Sequence, residues 1–190
     1  MAERIKNMRE VLLQAGIGEI NAHGVNEFSI RRVADACGVS CAAPYKHFKD
    51  KRDFIAAVID YVNGKWIERR DQVLANCSPD LEERIIEVSI SYIQFLMEEP
   101  YYRSILTLRD GGFDNLYHKK HGELVSVTQQ LQLDLLQATG MSREEWNRKA
   151  LPIRSIVFGS VLLFESGEFQ YNEEVLVNLR ATMRHIFHHC

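Results

Sequence analysis

The chain has 190 residues, 46% of them hydrophobic and 26% charged, with a formal net charge of −3. That is enough chain to bury a core without disulfide or metal staples, and no run of about 18 apolar residues is present to span a bilayer. The opening MAERIKNMRE is charged and lacks the apolar stretch of a secretory signal, so the expected location is cytoplasmic, with no membrane partner. Charge is uneven along the chain: 9 Lys+Arg face 7 Asp+Glu over residues 1–55, and 14 face 19 over residues 56–190. A weakly basic first quarter followed by an acidic remainder permits a nucleic-acid contact near the N-terminus but does not prove one. The four cysteines, Cys37, Cys41, Cys77 and Cys190, form no Cys-x-x-Cys pair and read as reduced, small core residues rather than a zinc site or a disulfide. The terminal HIFHHC reads as a frayed helix end rather than a metal site, so neither metal nor cofactor is expected.

Apolar residues recur at helical spacing throughout, and no alternating strand pattern with hairpin turns occurs, so an all-α fold is predicted. A first helix is predicted over Arg4 to His23, with Ile5, Met8, Leu12, Ala15 and Ile20 on one face. Gly16 and Gly18 weaken it and Gly24 ends it. Ser29 caps a short second helix whose Ile30, Val33, Ala34 and Cys37 point inward, and Gly38 closes it. A third helix is predicted with Ser40 as N-cap. Pro44 is tolerable in a first turn, where N–H groups lack partners, but it restricts the helix to two turns or fewer, with 3₁₀ character at its start. It also pushes Ala43 out of the helical region. Phe48 returns to the core, and Asp50 caps the next helix.

The fourth helix is predicted over Lys51 to Ala75, with Phe54, Val58, Tyr61, Val62 and Trp66 on its apolar positions. After the break at Ser78-Pro79-Asp80, a capping box of Asp80 and Glu83 starts a fifth helix that runs to Glu99. It carries Ile85, Val88, Tyr92, Phe95 and Leu96, and Pro100 stops it. A short helix over Tyr101 to Arg109, a turn at DGGFD and a seventh helix over Asn115 to Thr139 follow. Ser142 with Glu145 makes another capping box for a helix to about Ser166, which Pro152 should kink or divide. Asn172 caps the last helix, Glu173 to His188.

The run SIRRVADACGVSCAAPYKHF has helix-turn-helix proportions. Ala34 lets two helices cross closely, Gly38 permits the turn, and Val39 plugs the junction. The first helix supplies the third wall of a small core, leaving the second member of the pair free to enter a DNA groove. The chemistry at its tip suits DNA. Ser29, Tyr45 and His47 offer donors for phosphate, and Lys46 and Lys51 offer mobile charge, with Arg31 beside them on the second helix. Ser40, Cys41 and Ala42 are small enough to approach base edges, and Cys41 and Ala42 can touch thymine methyls. No Gly-rich phosphate loop, His-Glu-x-x-His or nucleophile elbow is present, so catalysis is not expected.

Gly24, Phe28, Ser29, Ala34, Gly38, Val39, Ser40, Tyr45, His47, Phe48 and Lys51 together resemble the N-terminal pattern of TetR-family transcriptional regulators, over about the first 55 residues. SYIQFLMEEPYYRSIL is similar to the helix–Pro–helix region of one effector domain in that family. IVFGSVLLFESG has Phe158-Gly159 where those domains often carry His-Gly. The resemblance implies an all-helical homodimer that binds a palindromic operator, with a DNA-binding domain over residues 1–50 and an effector-binding and dimerisation domain over residues 51–190. It implies phosphate contacts at Ser29, Tyr45, His47 and Lys51, base contacts at Ser40, Cys41, Ala42 and Lys46, and movement of the fourth helix when ligand binds.

The pocket expected on this reading is apolar and aromatic: Trp66, Tyr92, Phe95, Leu96, Tyr102, Leu106, Phe113, Tyr117 and Phe164, with Arg154 and His118 as candidate polar groups. Plain core packing is the competing reading for each aromatic, and solvated surface for Arg154 and His118. The dimer is expected through the last two helices, with Ile156, Ser160, Leu163 and Gly167 on one and Leu176, Leu179, Met183 and Ile186 on the other. An apolar or aromatic small molecule is the expected effector, and control by a protein partner is the alternative.

Overall fold

A computed structural model describes residues 2–102 and 131–189. Expectations for the rest, including Leu106, Phe113, Tyr117, His118, the DGGFD turn and Cys190, lie outside the described residues. Within them the chain is helical, with no strand. The helices are α1 (Ala2–His23), α2 (Ile30–Ala36), α3 (Lys51–Asn76), α4 (Leu81–Glu98), α5 (Arg143–Glu165) and α6 (Glu173–His189). Helical backbone also occupies 131–139. By internal packing the described residues form two units, residues 2–65 with 99–102, and residues 66–98 with 131–189. The expected domain boundary after residue 50 falls at the start of α3, and α3 itself begins in the first unit and ends in the second.

The first unit is built on Leu12, Leu13, Ile17 and Ile20 of α1, Ile30, Val33 and Ala34 of α2, and Phe54, Ile55 and Val58 of α3. Phe54 stacks on Phe48 at 3.9 Å between ring centroids and meets Phe28 edge-on at 5.3 Å. Gly16 is more than a weak helix former here. A Cβ at that position would lie 3.0 Å from the Phe54 ring and 3.1 Å from Val58, so its absence sets how closely α1 approaches α3. The polar edge of the unit is joined as well. Tyr61 Oη accepts from Gln14 Nε2 at 2.8 Å and donates to Glu10 Oε1 at 3.1 Å. Burial pushes the Tyr61 phenol up to about 12, and the adjacent Glu10 acceptor adds to it.

The caps follow the sequence in most places. Ser29 accepts from the Arg32 N–H, Asp50 from Asp53 N–H, and Asn172 from Val175 N–H. Ser142 and Glu145 form a complete capping box. The box predicted at Asp80 is only half present. Asp80 accepts from Glu83 N–H at 2.9 Å, but the Glu83 carboxylate is taken by Arg184 and does not reach back. Pro152 does not divide its helix, because α5 continues on both sides of it. Packing of α5 against α4 and α6 offsets the lost backbone bond.

The second unit carries its core on Ile86, Ile90, Ile93 and Leu96 of α4, Ile153, Val157 and Val161 of α5, and Leu176 and Met183 of α6. Charge sets the register of α4 against α6. Glu83 pairs with Arg184 and Glu87 with Arg180, the closest contacts being 2.5 and 2.9 Å. Both residues of each helix are four apart, so the two pairs form successive rungs between antiparallel helices.

Candidate nucleic-acid interface

The end of α2 explains how the chain turns so sharply at Gly38. The Gly38 N–H donates to the Asp35 carbonyl at 3.1 Å and the Val39 N–H to the Ala34 carbonyl at 3.0 Å, a Schellman pair. It requires positive φ at Gly38, which is +64°. Val39 is half-buried at the junction.

No third α-helix follows. Residues 41–43 form a turn, and Pro44–Lys46 a single 3₁₀ turn, the short extreme of what Pro44 allowed. Ser40 is not its cap, since the 3₁₀ turn starts after Ala43 and has no side-chain cap. The Ser40 carbonyl instead accepts from Ala43 N–H at 2.8 Å. Ala43 is also not extended: it has φ −64° and ψ −43°, squarely helical. Proline disfavours this region for its predecessor without forbidding it. Bonds from Ala43 N–H to Ser40 and from Lys46 N–H to the Ala43 carbonyl hold it there.

Pro44 points inward and is buried, as is Phe48 four residues on. These two anchor the turn to the core. The residues between them are thereby pushed outward: Tyr45 is 58% exposed, Lys46 is exposed and His47 half-buried. Ser40, Cys41 and Ala42 are exposed too, so the predicted base-facing and phosphate-facing residues from 40 to 47 share one solvent-exposed segment. Arg31 is exposed on α2. Ser29 is half-buried, its hydroxyl used as a cap, and Lys51 Nζ donates to the Asn26 carbonyl at 2.7 Å.

A tie that the sequence did not announce holds α2 in place. Glu19 of α1 is 8% exposed and accepts from Arg32 Nε at 2.8 Å and from the Ser29 N–H at 3.0 Å. Burial works to raise the Glu19 carboxyl, but the Arg32 and Ser29 hydrogen bonds outweigh it and hold the group below the usual carboxylate range. Arg32 also donates to the Glu27 carbonyl. Both arginines are exposed, but the Arg32 guanidinium is committed to these acceptors, and Arg31 stands beside it on α2. The signal was a lone Glu on an otherwise apolar helix face, which has no meaning until its partner thirteen residues away is placed beside it.

The residues expected to bind effector are only partly gathered. Trp66 meets Tyr92 edge-on at 4.7 Å and Phe95 at 5.6 Å, with Leu96 buried on the same helix as the latter two. Phe164 is buried on α5 and packs on Tyr171 at 5.5 Å. Tyr102 lies in the first unit, where its hydroxyl accepts from Gln14 at 3.4 Å. Arg154 is exposed.

Of the residues expected at a dimer interface, Ser160, Leu176, Met183 and Ile186 are buried inside the second unit, and Ile156, Leu163 and Leu179 are half-buried. The apolar stripe chosen from the sequence is largely the one that packs on the helix's own core. The apolar side chains that α5 and α6 turn to solvent are Leu151, Phe158, Leu162 and Val177, with exposures of 70, 47, 66 and 53%. Cys37, Cys41 and Cys77 carry free thiols, but they are not the core residues expected: Cys41 is exposed on the turn after Gly38, and Cys37 and Cys77 are half-buried at the ends of their helices. No helix among the described residues is long and apolar enough to cross a membrane.

Residues 12–58 match the family of bacterial regulatory proteins named tetR. These residues are similar to the N-terminal domain of the TetR family. The TetR-family match runs from the core face of α1, through the Schellman turn and the Pro44 turn, into α3. The chain is 25% identical over 125 residues to the probable acrEF/envCD operon repressor of Escherichia coli K12, across 62% of this chain and 50% of that protein. It therefore spans about half the length of this curated relative. Its fold is that of a TetR family transcription regulator from Marinobacter aquaeolei VT8, with TM-score 0.74, 18% identity and 98% of each chain covered. The transcriptional regulator FadR from Bacillus subtilis, solved in complex with stearoyl-CoA, has TM-score 0.74 at 14% identity, over 95% of this chain and 98% of that one.

Proposed function

We propose that this chain is a DNA-binding transcriptional regulator, a repressor that binds a palindromic operator as a homodimer and releases it when a small apolar or aromatic effector binds. One observation carries the reading. The buried pair Pro44 and Phe48 holds Tyr45 and Lys46 out into solvent beside the small residues Ser40, Cys41 and Ala42. That puts phosphate donors and a sterically open edge together on one short turn, as groove contact requires. The TetR-family match over residues 12–58 and the repressor named among the relatives support it. On this reading Ser29, Arg31, Tyr45, His47 and Lys51 hold phosphates, and Ser40, Cys41, Ala42 and Lys46 face bases. Residues 1–50 are the reading head, and residues 51–190 bind effector and pair the subunits.

The relative solved with stearoyl-CoA and the Trp66–Tyr92–Phe95 cluster support an apolar effector. Dimerisation uses the faces of α5 and α6 that carry Leu151, Phe158, Leu162 and Val177, since four exposed large apolar side chains on two helices are costly to leave in water. The test is selection of a bound sequence from random duplex DNA, followed by titration of the selected complex with apolar compounds. A two-fold symmetric consensus is expected. Failure to enrich any sequence over input would refute the DNA-binding reading.

A further inference from the structure

Arg70, on the last third of α3, is 4% exposed, an unusual depth for a guanidinium. One edge of it is used: Nε and Nη2 donate to the same Asp71 oxygen at 3.0 and 2.6 Å. Nη1 is buried and has no hydrogen-bond partner among the described residues. The neighbouring Arg69 is different. It is committed to both oxygens of Glu98 and to Ser91. A buried cationic donor left unmade costs the folded protein free energy, so a chain that retains one has a use for it elsewhere or a partner still to come. Asp71 does not neutralise the interior side, because it is 60% exposed and screened by water. One turn back on the same face of α3 stands Trp66, packed on Tyr92 and Phe95. The charged donor thus lies one helical turn from Trp66, on which Tyr92 and Phe95 of α4 pack.

Resting on the effector reading above, we propose that Arg70 anchors the head group of the effector, which is an amphipathic monocarboxylate whose apolar part lies against Trp66, Tyr92 and Phe95. A single free nitrogen, with its other edge occupied, suits one carboxylate better than a dianionic phosphate, which needs several donors. The carboxylate accepts from Nη1, and Asp71 keeps the guanidinium plane in position.

The experiment compares decanoate with decanol, two probes of equal chain length, on the full chain and on Arg70→Met and Arg70→Gln. Binding is read by tryptophan fluorescence, and operator release by fluorescence anisotropy. Wild type should bind decanoate about 10- to 100-fold more tightly than decanol. Both variants should lose that preference while keeping their affinity for decanol. Without ligand, Arg70→Met should melt no lower than wild type, because it removes a buried unpaired donor. A structural arginine would instead melt lower and leave the head-group preference intact. If wild type binds both probes equally, or if the folded variants keep the preference, the Arg70 assignment is wrong while the effector reading stands. If neither probe binds wild type or releases its operator, both fall together.

Discussion

Among the described residues, the buried charged groups Glu19 and Lys149 each bond to a neighbouring element of their own unit. Glu19 joins α1 to the start of α2 through Arg32 and the Ser29 N–H. Arg32 is 47% exposed and can be rehydrated, so Glu19→Gln should cost only about 1–2 kcal/mol, measured by urea unfolding at neutral pH. The pH dependence has a definite sign. The folded carboxyl titrates below its unfolded value. Its contribution is therefore complete above the ordinary carboxylate range and is lost as pH falls through the depressed folded value. The wild-type minus Glu19→Gln difference should shrink on acidification and be flat above neutrality. Lys149, 8% exposed on α5, donates to the carbonyls of Ile186 and Phe187 at 3.2 and 2.8 Å. Those carbonyls lie in the last turn of α6, where helix carbonyls run short of intrahelical donors. Lys149→Met keeps the apolar stem but removes this donor from both, and should lower stability by about 1–3 kcal/mol in the same assay.

At the scale of an element, the Pro44 turn replaces what would otherwise be a helix. It is short because proline supplies no N–H, and it is held because Pro44 and Phe48 are both buried. Pro44→Ala removes both causes. It should let helix propagate from Ser40 and change the selected operator, at a stability cost of about 1 kcal/mol from lost packing. Selection from random DNA checks the first expectation and thermal unfolding the second. The two lysines should separate by role. Lys51→Ala should weaken all duplexes alike and reduce the salt slope by roughly one unit, once its bond to the Asn26 carbonyl is exchanged for phosphate. Lys46→Ala, at the exposed tip, should also alter sequence preference. Operator and scrambled duplexes titrated at several salt concentrations distinguish them.

For the molecule as a whole, the consequence of the proposed dimer is avidity. Two heads on one palindrome bind far more tightly than one, provided the paired helices fix their spacing. Leu162 is 66% exposed on α5 and contributes little to the monomer's core. Leu162→Glu should therefore leave thermal stability nearly unchanged, shift the sedimentation profile toward monomer and lower operator affinity by at least about 100-fold. Met183→Glu, at 0% exposure, should instead unfold the second unit.

Helical periodicity, caps and breakers are local facts, and most were legible; the third helix expected with a Ser40 cap and an extended Ala43 was not. α1, α2, α3, α4, α5 and α6 begin and end within a few residues of where Ser29, Gly38, Asp50, Asp80, Ser142 and Asn172 placed them. The helix-turn-helix signature was legible for the same reason, since its spacings lie within about 55 consecutive residues. What the sequence could not decide was orientation. A helix face is apolar whether it meets its own core or a second subunit, so Met183 and Leu162 look alike until folding buries one and leaves the other exposed. Glu83 looked like half of a capping box until Arg184, about a hundred positions away, competed for its carboxylate. Charges such as Glu19, Lys149 and Arg70 gain their meaning from burial, because only a low-dielectric surrounding makes a partner, or the lack of one, worth kilocalories. Burial is a property of distant chain segments brought together, and only the tertiary structure supplies it.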